Sequence, residues 1–342
     1  MEKLDYIIVG DGYAGLFFAH QLLKSGKKFR IFSEGKKGAS QVSAGIVNPV
    51  VLKKFTTFWK AQEQIDFLLQ TMKEIESYTG RNYFISDNIQ RIFHDENEKN
   101  LWLKKAQNDD LKDFLDSDFH RLESVHNPFG TGKVIQSGRL DVHNFFTDMK
   151  RALKESDVWI EEKFDYTVLS SSSYKDFSFS NIVFCEGIGV KENPYFNSIP
   201  VQPNKGHHLK VNLSTEPDSN VIIKKKHFLF PLSSSQYYYG GTYDREQLHE
   251  QIDSSAIEQL TNGLSEFYPG DFEIEEVQFG FRPTVKDRRP VIGAHEVHQN
   301  FYVFNGLGAR GILNGCYFAH HLFDHIEFGK DLHPEVNLNR FS

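Results

Sequence analysis

The tightest constraint on what this chain can become lies near its N-terminus. Tyr6-Ile7-Ile8-Val9 is a short apolar run rich in β-branched residues, the pattern of a strand buried on both faces. Gly10-Asp11-Gly12-Tyr13-Ala14-Gly15 follows it directly. Leu16, Phe17, Ala19, Leu22 and Leu23 then recur at helical spacing, and Ser25-Gly26 stops the helix. Phe29-Arg30-Ile31-Phe32 is a second strand, with Glu34 just past its end. Each part has a physical role. Gly10 permits a tight turn, Gly12 lets the backbone approach a pyrophosphate, and Gly15 lets the helix pack closely on the strand. Tyr13 and Ala14 open the helix, whose free N–H groups and positive dipole suit phosphate. Glu34 is placed to accept hydrogen bonds from ribose hydroxyls. The plain alternative is a glycine-rich turn in an ordinary α/β protein, but the strand, helix and acid in register favour a dinucleotide. Glu34 disfavours a 2′-phosphate, and therefore NADP, without separating NAD from FAD.

The rest of the chain is rich enough in apolar residues to fold. With 342 residues it suggests about two domains. Hydrophobic residues make up 39%, and Phe alone occurs 31 times, which excludes disorder. Two cysteines, Cys185 and Cys316, are too few for a disulfide scaffold or a cysteine-rich metal site, and fit a reducing compartment. A net charge of -7 argues against a protein that coats nucleic acid. No apolar stretch approaches the roughly 20 residues that span a bilayer, and no signal peptide is visible, so the expectation is a soluble cytoplasmic protein.

Along the chain, 36–49 is a loop of small residues containing Ser43-Ala44-Gly45. A helix is expected over 59–78, a hairpin-like strand pair over 82–94, and a charged helical stretch over 97–122 whose aspartates form a solvated face. A further helix follows at 143–154. Asn181 to Gly187 returns to the buried-strand pattern. Four strands fall between 206 and 241, then a helix over 254–268 and a strand over 273–281, which together read as an antiparallel sheet with a helix. Finally Asn300 to Asn305 is a strand that runs into Gly306-Leu307-Gly308-Ala309-Arg310-Gly311 and a last helix. This second strand, glycine turn and helix could stabilise negative charge on a reduced ring system, and a simple nicotinamide dehydrogenase has no need of it.

In their order and spacing these segments resemble the FAD-dependent D-amino acid oxidase superfamily, which includes glycine oxidase and sarcosine oxidase. The resemblance rests on Gly10 to Gly15, Glu34, Ser43-Ala44-Gly45, the strand ending at Gly187, Gly240-Gly241-Thr242, Arg282 to Gly293 and Gly306 to Gly311. Within that superfamily, Ala44 to Pro49 and Gly306 to Gly311 look most like the flavin domain of the bifunctional enzyme that matures 5-methylaminomethyl-2-thiouridine in tRNA. The methyltransferase half of that enzyme has no counterpart here.

The resemblance implies an α/β protein, α+β overall. A Rossmann-like FAD-binding domain is expected from 1–80, 135–200 and 285–342, with an inserted antiparallel-sheet substrate domain from 81–134 and 201–284. It implies FAD, contacted by Gly10, Gly12, Tyr13, Ala14, Gly15, Glu34, Ser43, Ala44, Gly45, Gly187, Gly306, Gly308, Ala309, Arg310 and Gly311. The FAD is expected to be non-covalent, because no cysteine shortly precedes Asp287, where sarcosine oxidase-type members attach the flavin.

The expected reaction is oxidation of the C–N bond of an amino acid or N-substituted glycine by hydride transfer to flavin. Arg282 matches the family arginine that pairs with the substrate carboxylate, a task suited to a guanidinium fork. The plain alternative for Arg282 is a salt bridge to Asp287. Arg310 is a second candidate catalytic cation, for substrate or for anionic flavin. His207, His208 and one or two of Tyr237, Tyr238 and Tyr239 are candidates to line the pocket, and Lys224-Lys225-Lys226 reads most simply as a solvated face. The partner is then a small carboxylated amine. The competing readings are a tRNA wobble-uridine enzyme that removes a carboxymethyl group, suggested by the lysine clusters, and a non-catalytic flavin-binding protein.

Overall fold

The computed structural model describes residues 1–217 and 220–341. Its frame is a parallel sheet built around the strand Glu2–Val9, whose residues from Tyr6 to Val9 are all buried. That strand pairs in parallel with Phe29–Ser33 on one side and Phe177–Phe184 on the other. Trp159–Glu161 extends the sheet beyond Phe29–Ser33, and Phe301–Asn305 extends it beyond Phe177–Phe184. Val291–Ala294 closes that edge as an antiparallel strand. A strand apolar on both faces belongs where both are covered, and here they are. Helices Tyr13–Lys24 and Gly311–Phe328 pack together on one face, and Phe164, Tyr174, Phe184 and Phe196 fill the other.

The second sheet has eight strands among the described residues. Their order is Phe272–Thr284, Gln202–Leu213, Gln236–Gly240, Phe228–Pro231, Val221–Lys224, Asn88–Ile92, Thr131–Val134 and Leu115–His120. The pairings are antiparallel except for Val221–Lys224 with Asn88–Ile92. Helix Ser254–Ser265 covers one face, burying Leu260 and Leu264 against Leu209, Val211, Tyr237 and Tyr239.

Two sequence expectations differ. The segment 82–94 does not form a hairpin. Phe84–Ile85 joins a small sheet with Gly138–Leu140, while Asn88–Ile92 joins the eight-stranded sheet. Alternation marks a strand but does not name its partner. The stretch 97–122 is helical only over Glu96–Ala106, and Leu115–His120 is an edge strand. The helix is capped by the Asp95 carboxylate, which accepts from the Glu98 N–H. Leu115 is buried beyond a turn, and the exposed remainder of the edge strand carries the charges that misled the period reading. No described helix is long and apolar enough to cross a membrane.

Candidate active site

A cavity of about 1000 Å³ lies between the two sheets, at the upper end of the size range for ligand pockets. One end is the N-terminal glycine turn. Gly10 has φ of +106°, and a Cβ there would sit 2.5 Å from the Cys185 carbonyl oxygen. At Gly15 a Cβ would overlap the Gly10 carbonyl. Both positions require glycine, because turn, helix and neighbouring strand end meet backbone to backbone. The N-cap of helix Tyr13–Lys24 is Gly12, which has no side chain to offer the first turn. The Tyr13 N–H donates to Ser40 Oγ at 3.2 Å, and the Tyr13 hydroxyl lies 2.8 Å from Ser43 Oγ. The loop of small residues is thereby fastened over the helix start.

Glu34 lines the same end. Lys36 lies 2.9 Å from it, and that hydrogen bond holds its carboxyl below the usual range. Ser43, Ala44, Gly45 and Gly187 continue the wall. Asn305 joins two strand ends, donating to the Gly187 carbonyl at 2.8 Å and accepting from the Gly306 N–H at 2.7 Å. Gly308, Ala309 and Gly311 line the cavity at the start of helix Gly311–Phe328, a second helix without a side-chain cap. Two helix N-termini whose own N-cap residues supply no side-chain bond therefore open on one cavity, and each favours negative charge.

The second sheet supplies the opposite wall. Arg282 Nη1 donates to Asn204 Oδ1 at 3.1 Å and to the Thr242 carbonyl at 3.0 Å. Its guanidinium carbon lies 4.3 Å from the centre of the Tyr243 ring. A Cβ at Gly206 would overlap the guanidinium where it lies, so a larger residue there would have to push the fork aside. The fork is held flat with no carboxylate partner among the described residues. The alternative partner, Asp287, is engaged by Arg340 at 2.9 Å.

His207 and His208 point to opposite faces, as strand alternation requires. His208 stacks on Tyr238 with ring centres 4.5 Å apart, and burial pushes its imidazole down to about 4. His207 lies 3.5 Å from Asp253. Tyr238 lines the cavity, whereas Tyr237 and Tyr239 pack beneath helix Ser254–Ser265. His227 contacts the Gly241 carbonyl at 3.0 Å and is also pushed down to about 4 by burial.

Three of the expected site residues are absent from the cavity wall. Gly15 and Gly306 act by close packing, Gly306 against Val285 and Val291. Arg310 donates to the Asn48 carbonyl at 3.0 Å and lies 3.8 Å from the centre of the Phe58 ring, so the guanidinium ties the glycine turn to the 48–58 segment. The lysine run also differs from a solvated face. Lys225 and Lys226 pair with Glu266 at 3.1 and 2.8 Å, and Lys224 lines the cavity together with Lys226.

The sequence reading missed Glu186, whose signal was an acid at a strand end directly before Gly187. Glu186 lines the nucleotide end, accepts from Asn193 Nδ2 at 2.7 Å and from the Tyr166 hydroxyl, and is pushed up to about 7, chiefly by burial. In the folded protein it keeps a proton that the unfolded chain releases above its ordinary 4.5. Stability therefore falls as pH rises from there to about 7 and levels off beyond. Melting curves of the flavin-free protein should show Glu186→Gln gaining on the native protein between pH 5 and 8. Parallel curves would refute the assignment.

Comparison with known proteins gives a family and a shared fold. The family model described as FAD dependent oxidoreductase matches residues 5–325. An uncharacterized oxidoreductase of Bacillus subtilis, YurR, is 24% identical, with 91% of each chain covered. The tRNA 5-methylaminomethyl-2-thiouridine biosynthesis bifunctional protein MnmC of Shewanella baltica is 21% identical over 56% of this chain and 33% of its own length. The crystal structure of glycine oxidase from Geobacillus kaustophilus superposes with a TM-score of 0.82, covering 98% of both chains at 17% identity, and so shares the fold.

Proposed function

This chain belongs to the FAD-dependent oxidoreductase family, and we propose that it oxidises the C–N bond of an amino acid or N-substituted glycine. The observation that carries the reading is Arg282, a guanidinium fork held flat in the cavity wall by Gly206, Tyr243, Asn204 and Thr242, with no acid to neutralise it among the described residues. A carboxylate is the ligand such a fork fits, through two parallel hydrogen bonds.

The residues present also fit FAD. The glycine cradle at Gly10, Gly12 and Gly15 and the helix start at Tyr13 suit its pyrophosphate, and Glu34 suits a ribose. The second free helix start, at Gly311, suits negative charge on the ring system. When bound, FAD supplies the two-electron acceptance that no side chain offers. We propose non-covalent binding: Cys316 is buried in the last helix, and Cys185 sits at the strand end beside Gly10.

The protein's own part is positioning. Arg282 holds the substrate carboxylate and so fixes the adjacent carbon, and orientation of this kind is worth several kcal/mol of barrier. Its partners at Asn204 and Thr242 keep the fork from rotating. His208 and His227, held neutral by burial, add no positive charge to repel the amine. The substrate carbon loses a C–H bond and two electrons, its bond to nitrogen becomes a C=N bond, and water hydrolyses that imine.

Among the described residues, the lysines of the two clusters Lys53-Lys54 with Lys60 and Lys224 to Lys226 are partly taken up by acids, with Lys53, Lys54 and Lys224 left unpaired. Lys60 pairs with Glu63 at 2.8 Å, and Lys225 and Lys226 pair with Glu266. A small carboxylated amine is the proposed substrate. The purified protein should be yellow, and denaturation should release free FAD. Anaerobic mixing with glycine, N-methylglycine, D-amino acids and N-carboxymethylated amines should bleach it with at least one of them. A yellow protein that none of them bleaches would overturn the reaction and leave the cofactor assignment standing.

A further inference from the structure

We propose that the preferred substrate carries a second carboxylate, distal to the one held by Arg282, and that Lys224 receives it. The inference builds on the amine-oxidation reading and adds a substrate class to it.

Strand register places the residue. Lys224 pairs with Phe228, Phe228 with Gly240, and Gly240 with His208. Residues directly opposite across antiparallel strands share a face, and Lys224, Phe228 and His208 all line the cavity. Gly240 is two strand spacings from Lys224, about 10 Å. Next to it, Gly241 lies against Arg282, whose Nη2 would be 3.0 Å from a Cβ there. The two cations thus flank the aromatic strip of Phe228 and Tyr238 on a single wall, within reach of one small molecule.

Lys224 has no carboxylate partner among the described residues. Its ammonium meets the Lys226 carbonyl and lies 4.4 Å from the centre of the Phe228 ring. The neighbouring cations are all satisfied: Lys225 and Lys226 share Glu266, and Arg91 holds Glu98 at 2.6 Å. Within this run Lys224 is therefore the lysine without an acid among the described residues, and it lines the cavity beside the paired Lys226. A half-buried ammonium without a counter-charge is costly, and burial, with Arg91 next, pushes Lys224 down to about 7. A carboxylate docked beside it would keep its proton in place and satisfy it.

Two measurements on the holoenzyme test this. In the first, butyrate and glutarate, which cannot be oxidised, are titrated against the visible flavin spectrum. Glutarate should bind roughly 10- to 100-fold more tightly, the worth of one charge-assisted hydrogen bond. Lys224→Met should erase that preference and Lys224→Arg should keep it. In the second, N-butylglycine is compared with its analogue whose terminal methyl is a carboxylate. The ratio of their kcat/KM values should favour the analogue by a similar factor in the native protein and collapse in Lys224→Met. Equal affinity for the two acids, or a preference that survives Lys224→Met, would overturn the proposal. If glutarate is preferred but no amine is oxidised, the reaction is wrong and the dicarboxylate site stands. If N-butylglycine is oxidised as well as its analogue, the reaction stands and the dicarboxylate site fails.

Discussion

An Arg282→Ala protein is expected to keep its flavin and to lose roughly 30- to 5000-fold in kcat/KM for carboxylated amines. Removing one partner of a hydrogen-bonded, desolvated charge pair costs about 2–5 kcal/mol, and every 1.4 kcal/mol is about tenfold. The guanidinium is only half-buried, which favours the lower part of that range. Arg282→Lys restores the charge without the fork, so it should recover part of the loss and not all of it. The flavin should survive both changes, because Arg282 belongs to the wall facing the glycine turns. A second variant reaches the same side chain from beneath. Gly206→Ala leaves Arg282 in the sequence but puts a methyl where the guanidinium lies, so it should reproduce much of the defect. Steady-state kinetics across a series of amines, with flavin content measured in parallel, checks all three. Unchanged kinetics in Arg282→Ala would remove the role assigned to that residue.

The sequence made the nucleotide end of the cavity legible because its parts are contiguous. One strand, one turn and one helix deliver Gly10, Gly12 and Gly15, and their spacing is dictated by backbone contact alone. The opposite wall was legible only in part. Arg282 stood in a motif, but its bracing by Asn204, Gly206, Thr242 and Tyr243 comes from strands far apart in the chain, and nothing local announces their register. His207 and His208 looked equivalent as neighbours. The pleat separates them, sending one to Asp253 and the other to Tyr238. The same holds for the lysine run, where three consecutive charges suggest solvent. Glu266 takes up Lys225, which is buried, and Lys226, and leaves Lys224 at the cavity without an acid among the described residues. Arg310 shows the converse. It stands in the glycine turn expected to face the ring system, yet its side chain reaches back to Asn48 and Phe58. Position along the chain gives the neighbourhood of a side chain, and the rotamer and packing decide which side of the wall it serves.

The other large effect is expected at Gly15. A methyl there would overlap the Gly10 carbonyl oxygen, and that contact is backbone against backbone. No rotamer change can relieve it. Either helix Tyr13–Lys24 moves away from strand Glu2–Val9, or the Gly10 turn shifts. The turn has little freedom, since Gly10 already sits at φ of +106° with the Cys185 carbonyl close by. We expect Gly15→Ala to cost about 3 kcal/mol, the upper end of overpacking, against a helix-propensity gain of at most about 1 kcal/mol for replacing glycine with alanine. The displaced helix start would also carry its free N–H groups away from the phosphates, so flavin content should fall several-fold. Gly26→Ala is the control that separates packing from backbone conformation. Gly26 has φ of +64° but open space around it, so alanine there should cost only about 1–2 kcal/mol for the left-handed conformation and leave the flavin in place. Thermal melts and visible absorbance of the two proteins decide the matter. If Gly15→Ala binds flavin as fully as Gly26→Ala does, the close approach of helix to turn is not what builds the phosphate end of the site.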